Sequence, residues 1–141
     1  MLVALVAVAT VAGVLWRRAT GRVRRERAEG RAVVLPADVG TTEAFGDRGT
    51  LLQFSTEFCT YCPSTRRLLS EFASKNPGLV HVDVDLTHAP EIARRFDVLQ
   101  TPTTLVLDAQ GAVHARIGGP PKPRELEAAL ARLLGEQHVA A

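Results

Sequence analysis

Residues 50–62, TLLQFSTEFCTYC, decide how this chain is read. Thr50 to Ser55 is a short run rich in β-formers, the composition of a buried strand. Cys59 and Cys62 follow close behind, and they are the only cysteines in the chain. From Cys59 to about Ser74 the pattern becomes helical. Leu68, Leu69 and Phe72 form an apolar stripe, while Arg66, Arg67 and Glu71 face water. Asn76, Pro77 and Gly78 end the helix. The cysteine pair therefore sits where a strand turns into a helix.

That placement gives the two sulfurs a chemistry. Cysteines three apart in a first helical turn lie within disulfide range, so the bond can close and reopen without moving the fold. A helix N-terminus offers unpaired N–H groups and a partial positive charge, which favour thiolate over thiol. Cys59, at the exposed end, becomes the attacking nucleophile. Cys62, one turn deeper, resolves the mixed disulfide. Other readings stand beside this one. Half a zinc site is one, but four ligands are normal, and His81 and His88 lack ligand spacing to the pair, so no metal is expected. Two inert buried cysteines are another. A structural staple is a third, weakened because so short a loop gains little from closure. Strand–CxxC–helix is the context of a redox dithiol.

Outward from this core the chain alternates strands and helices. Leu79 to Leu86 alternates apolar and polar residues, with Val80, Val82 and Val84 inward. Pro90 to Phe96 reads as a short helix and Thr103 to Leu107 as a strand. Asp108 to Gly111 is a turn, and Ala112 to Ile117 pairs back as a hairpin. Gly118 to Pro121 breaks the chain. Lys122 to Leu134 closes it as an amphipathic helix with Leu126, Ala129, Leu130, Leu133 and Leu134 inward. Ala32 to Leu35 is expected to be a first short strand, stopped by Pro36. The order predicts an α/β fold, a mixed sheet with helices on both faces. There is no internal repeat.

Length and composition agree with one domain plus a short extension. With 46% hydrophobic and 23% charged residues, the 141-residue chain is globular rather than disordered. Its Ala-, Val- and Arg-rich composition would suit a high-GC bacterial genome. The net charge of +2 gives no strong electrostatic instruction. The distribution says more: Arg17, Arg18, Arg22, Arg24, Arg25, Arg27 and Arg31 crowd behind an uncharged apolar run, Leu2 to Trp16.

As a helix that run spans roughly 22 Å, short of the ~30 Å hydrocarbon core. Snorkelling of Arg17 and Arg18 and local thinning would close the gap, and Trp16 falls where an interfacial aromatic belongs. A cleaved signal peptide would need a positive segment ahead of the apolar run, and only Met1 precedes it. A buried core helix is the remaining reading. The expectation is an anchor over residues 1–16, a basic linker over 17–31 and a domain over 32–138. The bilayer would be met through residues 2–18, with the basic segment drawn to anionic headgroups. Since every nearby arginine follows the run, the positive-inside rule puts the domain in the cytoplasm, with an extracytoplasmic placement as the alternative. No nucleic-acid partner is expected, because the basic stretch lacks interleaved aromatics. Without a glycine-rich phosphate loop, no nucleotide or other cofactor is expected.

LLQFSTEFCTYC resembles the thioredoxin-family signature, a hydrophobic strand leading to an aromatic residue and then CxxC. The likeness continues through VHVDVD, Thr101-Pro102-Thr103, the Asp108–Gly111 turn, Ile117-Gly118 and the last helix, covering roughly residues 32–135. It implies a thioredoxin fold and disulfide exchange, with disulfide-containing client proteins and a dithiol electron donor as partners. Residue by residue, Pro102 matches the family's cis-proline opposite the dithiol, leaving the Thr101 backbone free to pair with an extended client. An ordinary trans proline opening a strand is the other reading. Phe58 matches the aromatic before the first cysteine and would cover the sulfur or contact the client; Tyr61, between the cysteines, would also meet the client. Gly118 matches a glycine that leaves room for it, or is a simple turn glycine. Three departures stand out. Gln53 replaces a buried Asp that assists proton transfer, so water, Glu57 or the client must take the Cys62 proton. The middle dipeptide is Thr-Tyr rather than Gly-Pro, and Pro63 removes an N–H from the first turn. His81 stands where soluble members often carry lysine; it either tunes the cysteines or is a partly exposed strand residue. The implied activity is a membrane-bound protein-disulfide reductase. The alternatives are an extracytoplasmic cytochrome-maturation type and a non-catalytic redox-linked binding module.

Overall fold

The computed structural model describes residues 1–27 and 30–139; Ala28 and Glu29 of the expected linker lie outside the described residues. Its centre is β2 (Gly49–Ser55), every residue of which is buried. The strand is paired on both edges and covered on both faces. It runs parallel to β3 (Leu79–Asp85) and antiparallel to β4 (Thr103–Leu107). A parallel pair needs a crossover, and α2 (Cys62–Lys75) supplies it. β4 pairs antiparallel with β5 (Val113–Gly118), and β1 (Val23–Arg25) pairs antiparallel with β5 at the far edge. The sheet order is β1-β5-β4-β2-β3. Among the described residues the other α-helices are α1 (Leu2–Ala19), α3 (Pro90–Arg95) and α4 (Pro123–Val139). This is the mixed sheet flanked by helices that the sequence led us to expect.

Alternate residues of β2 enter different cores, as strand geometry requires. Leu51 joins Leu69 of α2 and Leu126, Leu130 and Leu133 of α4 on one face. Leu52 and Phe54 join Val82, Val84 and Leu105 on the other, with Ile92 and Phe96 packed against them. The Phe54 and Phe96 rings lie 5.5 Å apart. These two layers hold β2 fixed, and its C-terminal end delivers the cysteine loop.

Several boundaries differ from expectation, each for a physical reason. Helix α2 begins at Cys62, not Cys59. The α-helical bond from residue 63 back to Cys59 cannot form because Pro63 has no N–H. The Cys62 N–H donates to the Cys59 carbonyl at 3.3 Å, and the first full turn closes with the Thr65 N–H donating to Tyr61 at 3.0 Å. Pro63 does not break the helix, because a first-turn N–H would lack an intrahelical acceptor anyway. Ala32 to Leu35 forms no strand, only an isolated bridge between Val33 and Ala112, followed by a short 3-10 turn at Pro36–Val39. The edge strand is instead Val23–Arg25, inside the segment read as linker. It has no apolar period because two of its three side chains face water; pairing with β5, not burial, makes it a strand. The end of α4 also runs further than expected, to Val139.

Helix α1 continues past Trp16 to Ala19, and none of its side chains is buried. The buried-core reading of this segment therefore falls. Eighteen residues span about 27 Å. With a mean hydropathy of 1.7 the helix is long and apolar enough to cross a membrane.

Candidate active site

Ser55 ends β2, and the next residues are tied down from two sides. The Thr56 and Thr101 hydroxyls are 3.2 Å apart. The Glu57 N–H donates to Thr87 Oγ1 at 3.0 Å. Thr87 in turn donates through its own N–H and hydroxyl to the Asp85 carboxylate at 2.8 and 2.5 Å. Those two bonds hold the Asp85 carboxyl below its usual range. The loop before Cys59 is thus braced by the end of β3 and by the residue that precedes Pro102.

Cys59 and Cys62 are joined in a disulfide, with Cα atoms 5.4 Å apart. Their exposures differ: Cys62 is 2% exposed, while Cys59 is partly open to solvent. The bond places Cys59 against the first residue of α2, whose first-turn N–H groups lack intrahelical acceptors. Phe58 is 85% exposed and Tyr61 60%, so two aromatic side chains stand free beside the sulfurs.

The Thr101–Pro102 peptide bond is cis. Pro102 is buried, and its carbonyl accepts from Gly119 N–H at 2.8 Å. The Thr103 hydroxyl donates to the Gln100 carbonyl at 2.6 Å, closing the turn around the proline. The structure therefore brings Thr101 to the cysteine loop through Thr56. Gly118 lies in β5 opposite Thr103, and a Cβ there would stand 2.6 Å from Gln100 Nε2. The space it leaves is filled by Gln100.

Beneath the pair lies a polar seam between α2 and the sheet. Gln53 is fully buried and donates through Nε2 to the Cys62 carbonyl at 3.2 Å. A carbonyl only accepts, so the amide oxygen of Gln53 must face the other way, towards His81 Nε2 at 3.1 Å. His81 Nε2 then carries the proton, and in the neutral ring Nδ1 accepts from the Ser70 hydroxyl at 2.9 Å. Burial pushes the His81 pKa down from its ordinary 6.5; Asp83 opposes the shift and Arg66 adds to it. Arg66 of α2 pairs with Asp83 of β3 at the outer end of the seam. Neither of the two readings offered for His81 anticipated this link to Gln53. The signal was present in the register: His81 lies beside Leu51 on the parallel strand, and so shares a face with Gln53. Thr56 and Thr87 were also missed, because each acts through a contact distant in sequence.

A family model for a thioredoxin-like domain matches residues 35–134. The chain belongs to the thioredoxin-like family. It carries that family's disulfide-capable CxxC pair at Cys59 and Cys62. Thioredoxin H5 from Oryza sativa subsp. japonica is 32% identical over 81 residues, covering 56% of this chain and 60% of that protein. Putative thioredoxin 2 from Streptomyces coelicolor is 34% identical over 86 residues, covering 61% of this chain and 60% of that protein. The chain thus spans about three-fifths of the length of these curated relatives. Among solved structures, a DsbF homologue from Corynebacterium diphtheriae superimposes with a TM-score of 0.56 at 17% identity, covering 78% of this chain and 92% of that one. At that identity the likeness speaks for the thioredoxin-like fold alone.

Proposed function

We propose that this thioredoxin-like protein is a thiol–disulfide oxidoreductase that reduces protein disulfides while held at a membrane by α1. The observation that carries the proposal is the asymmetry of the pair: one sulfur is partly open beside free aromatic side chains, and its partner is 2% exposed. In the reduced form the Cys59 thiolate attacks a client disulfide. The client S–S bond breaks, a mixed disulfide forms, and one client sulfur leaves. Cys62 then loses its proton to the departing client sulfur and attacks Cys59 Sγ. The mixed disulfide breaks, the second client sulfur takes a proton from water, and the client leaves with both thiols as the Cys59–Cys62 bond closes. Two electrons have passed to the client, and a dithiol donor must restore them. Gln53 holds the Cys62 carbonyl but, being an amide, takes no proton.

Thr101 and Pro102 line the approach to the pair, where an extended client strand can add to the free backbone. Phe58 and Tyr61 offer apolar contact around its cysteine. The test is catalysed reduction of insulin by the full chain with a small dithiol as donor. Turnover above the uncatalysed rate is expected, and C59S and C62S should each abolish it. Stoichiometric client binding without turnover would replace the enzyme by a binding module.

A further inference from the structure

An open cleft of about 800 Å³ lies at the β1 edge of the sheet, and its lining includes Ala19, Arg22, Arg24, Leu99, Gln100 and Arg116. Arg24 of β1 stands directly opposite Arg116 of β5 in the antiparallel register. Such partners have Cβ atoms about 5 Å apart, and like charges placed so repel. Glu26 and Asp97 also line the cleft. Among the described residues, however, no ion pair involves Arg22, Arg24 or Arg116. Two facing guanidinium groups that neither cleft carboxylate pairs with directly fit one anion between them, since each can give a planar pair of N–H bonds to phosphate oxygens.

The position of the cleft names the source of that anion. Ala19, the last residue of α1, is part of its wall. Only Thr20 to Arg22 separate α1 from β1, and they are fastened. Gly21 N–H donates to the Gly118 carbonyl at 2.7 Å, and Lys122 Nζ reaches the Arg18 carbonyl at 3.5 Å. Gly21 adopts φ +77°, and a Cβ there would lie 2.3 Å from the Pro120 carbonyl oxygen. The domain therefore has no slack tether on which to drift away from α1. If α1 spans a bilayer, the cleft opens within the headgroup layer, which is only about 5–8 Å deep on each side. Leu99, 94% exposed, adds an apolar tip at the same rim.

We propose that the cleft seats the phosphate of an anionic lipid headgroup between Arg24 and Arg116, with Arg22 beside them, so that the folded domain lies against the membrane. This rests on the membrane-anchored reading of α1. Because Gln100 lines the cleft and precedes Thr101-Pro102, a docked domain holds its client-binding turn close to the bilayer. Its clients would then be proteins whose disulfides lie near the membrane surface.

The full-length protein is placed in nanodiscs of phosphatidylcholine, alone or mixed with phosphatidylglycerol. Arginine modification by phenylglyoxal is then followed residue by residue. A nearby basic side chain gains about 1 kcal/mol at an anionic surface, or roughly a fivefold factor. Arg24 and Arg116 should react about fivefold more slowly in the mixed discs, while Arg67 and Arg132 react at unchanged rates. In R24Q/R116Q, Arg22 should lose its protection. Equal rates for Arg116 in both discs, with α1 resistant to alkaline carbonate extraction, would overturn the headgroup site and leave the anchor standing. Release of the protein by carbonate would overturn the anchor, and the site with it. Equal protection in phosphatidylcholine discs by added inorganic phosphate or an acidic peptide would overturn the lipid assignment.

Discussion

At the scale of single residues, Gln53 ties the Cys62 carbonyl to the ring of His81 beneath the dithiol. Cys59, Cys62 and Pro102 stand in local patterns that a sequence displays directly. The Gln53–His81 link depends on strand register, and the Thr56–Thr101 contact joins residues 45 positions apart; neither leaves a local trace. Gln53 illustrates the limit well. The sequence reveals that it cannot act as a base, but not that it ties Cys62 to His81. That tie makes a prediction for pH. The folded state holds the His81 pKa below 6.5 by burial, so on acidification the unfolded chain takes up the proton first. Stability contributed by neutral His81 is present above 6.5 and is lost as pH falls from there through the folded value. Chemical denaturation of the full chain at a series of pH values should show stability rising with pH in that window. The slope should be flatter in H81N; an identical slope in both proteins would remove His81 from the account.

At the scale of elements, the buried ones were legible and the exposed ones were not. β2 and β4 carry the runs of a covered strand, and β3 shows the apolar–polar alternation of a half-covered one. β1 carries Val23 followed by two arginines, a pattern that reads as linker. Its strand character comes from hydrogen bonds to β5 and from the Val23 N–H, which donates to the Glu125 carboxylate at 3.0 Å. The boundary of α2 shifted by three residues because Pro63 withholds one donor. The seam at Gly21 carries the prediction at this scale. A side chain there must accept a left-handed backbone and displace a carbonyl. G21A should therefore cost about 1 kcal/mol or more of stability. It should also speed hydrogen exchange of the β1–β5 pairing. Unchanged exchange at Glu26, whose N–H donates to the His114 carbonyl at 3.0 Å, would show that the β1–β5 pairing does not depend on this fastening.

At the scale of the whole molecule, the order of elements in the sequence was enough to reach a mixed sheet covered by helices, because each covered element announces its period. The relation of α1 to the domain was not legible. A run of arginines looks the same whether it is a loose tether or the start of a sheet. We propose a cytoplasmic domain, a reading supported by the seven arginines from Arg17 to Arg31 that follow the apolar helix. In intact cells a membrane-impermeant maleimide should leave Cys59 unlabelled until the membrane is opened. Labelling beforehand would place the domain outside and leave its chemistry intact.

The chemistry itself meets its most direct test in the C62S variant. Mixed with a disulfide-bonded client peptide and quenched in acid, it should accumulate one covalent adduct, and mass spectrometry of the digest should place that adduct on Cys59. The intact protein under the same conditions should release reduced peptide and close the Cys59–Cys62 bond. No adduct on Cys59 in C62S, with the client disulfide left intact by both proteins, would contradict the role given to this pair.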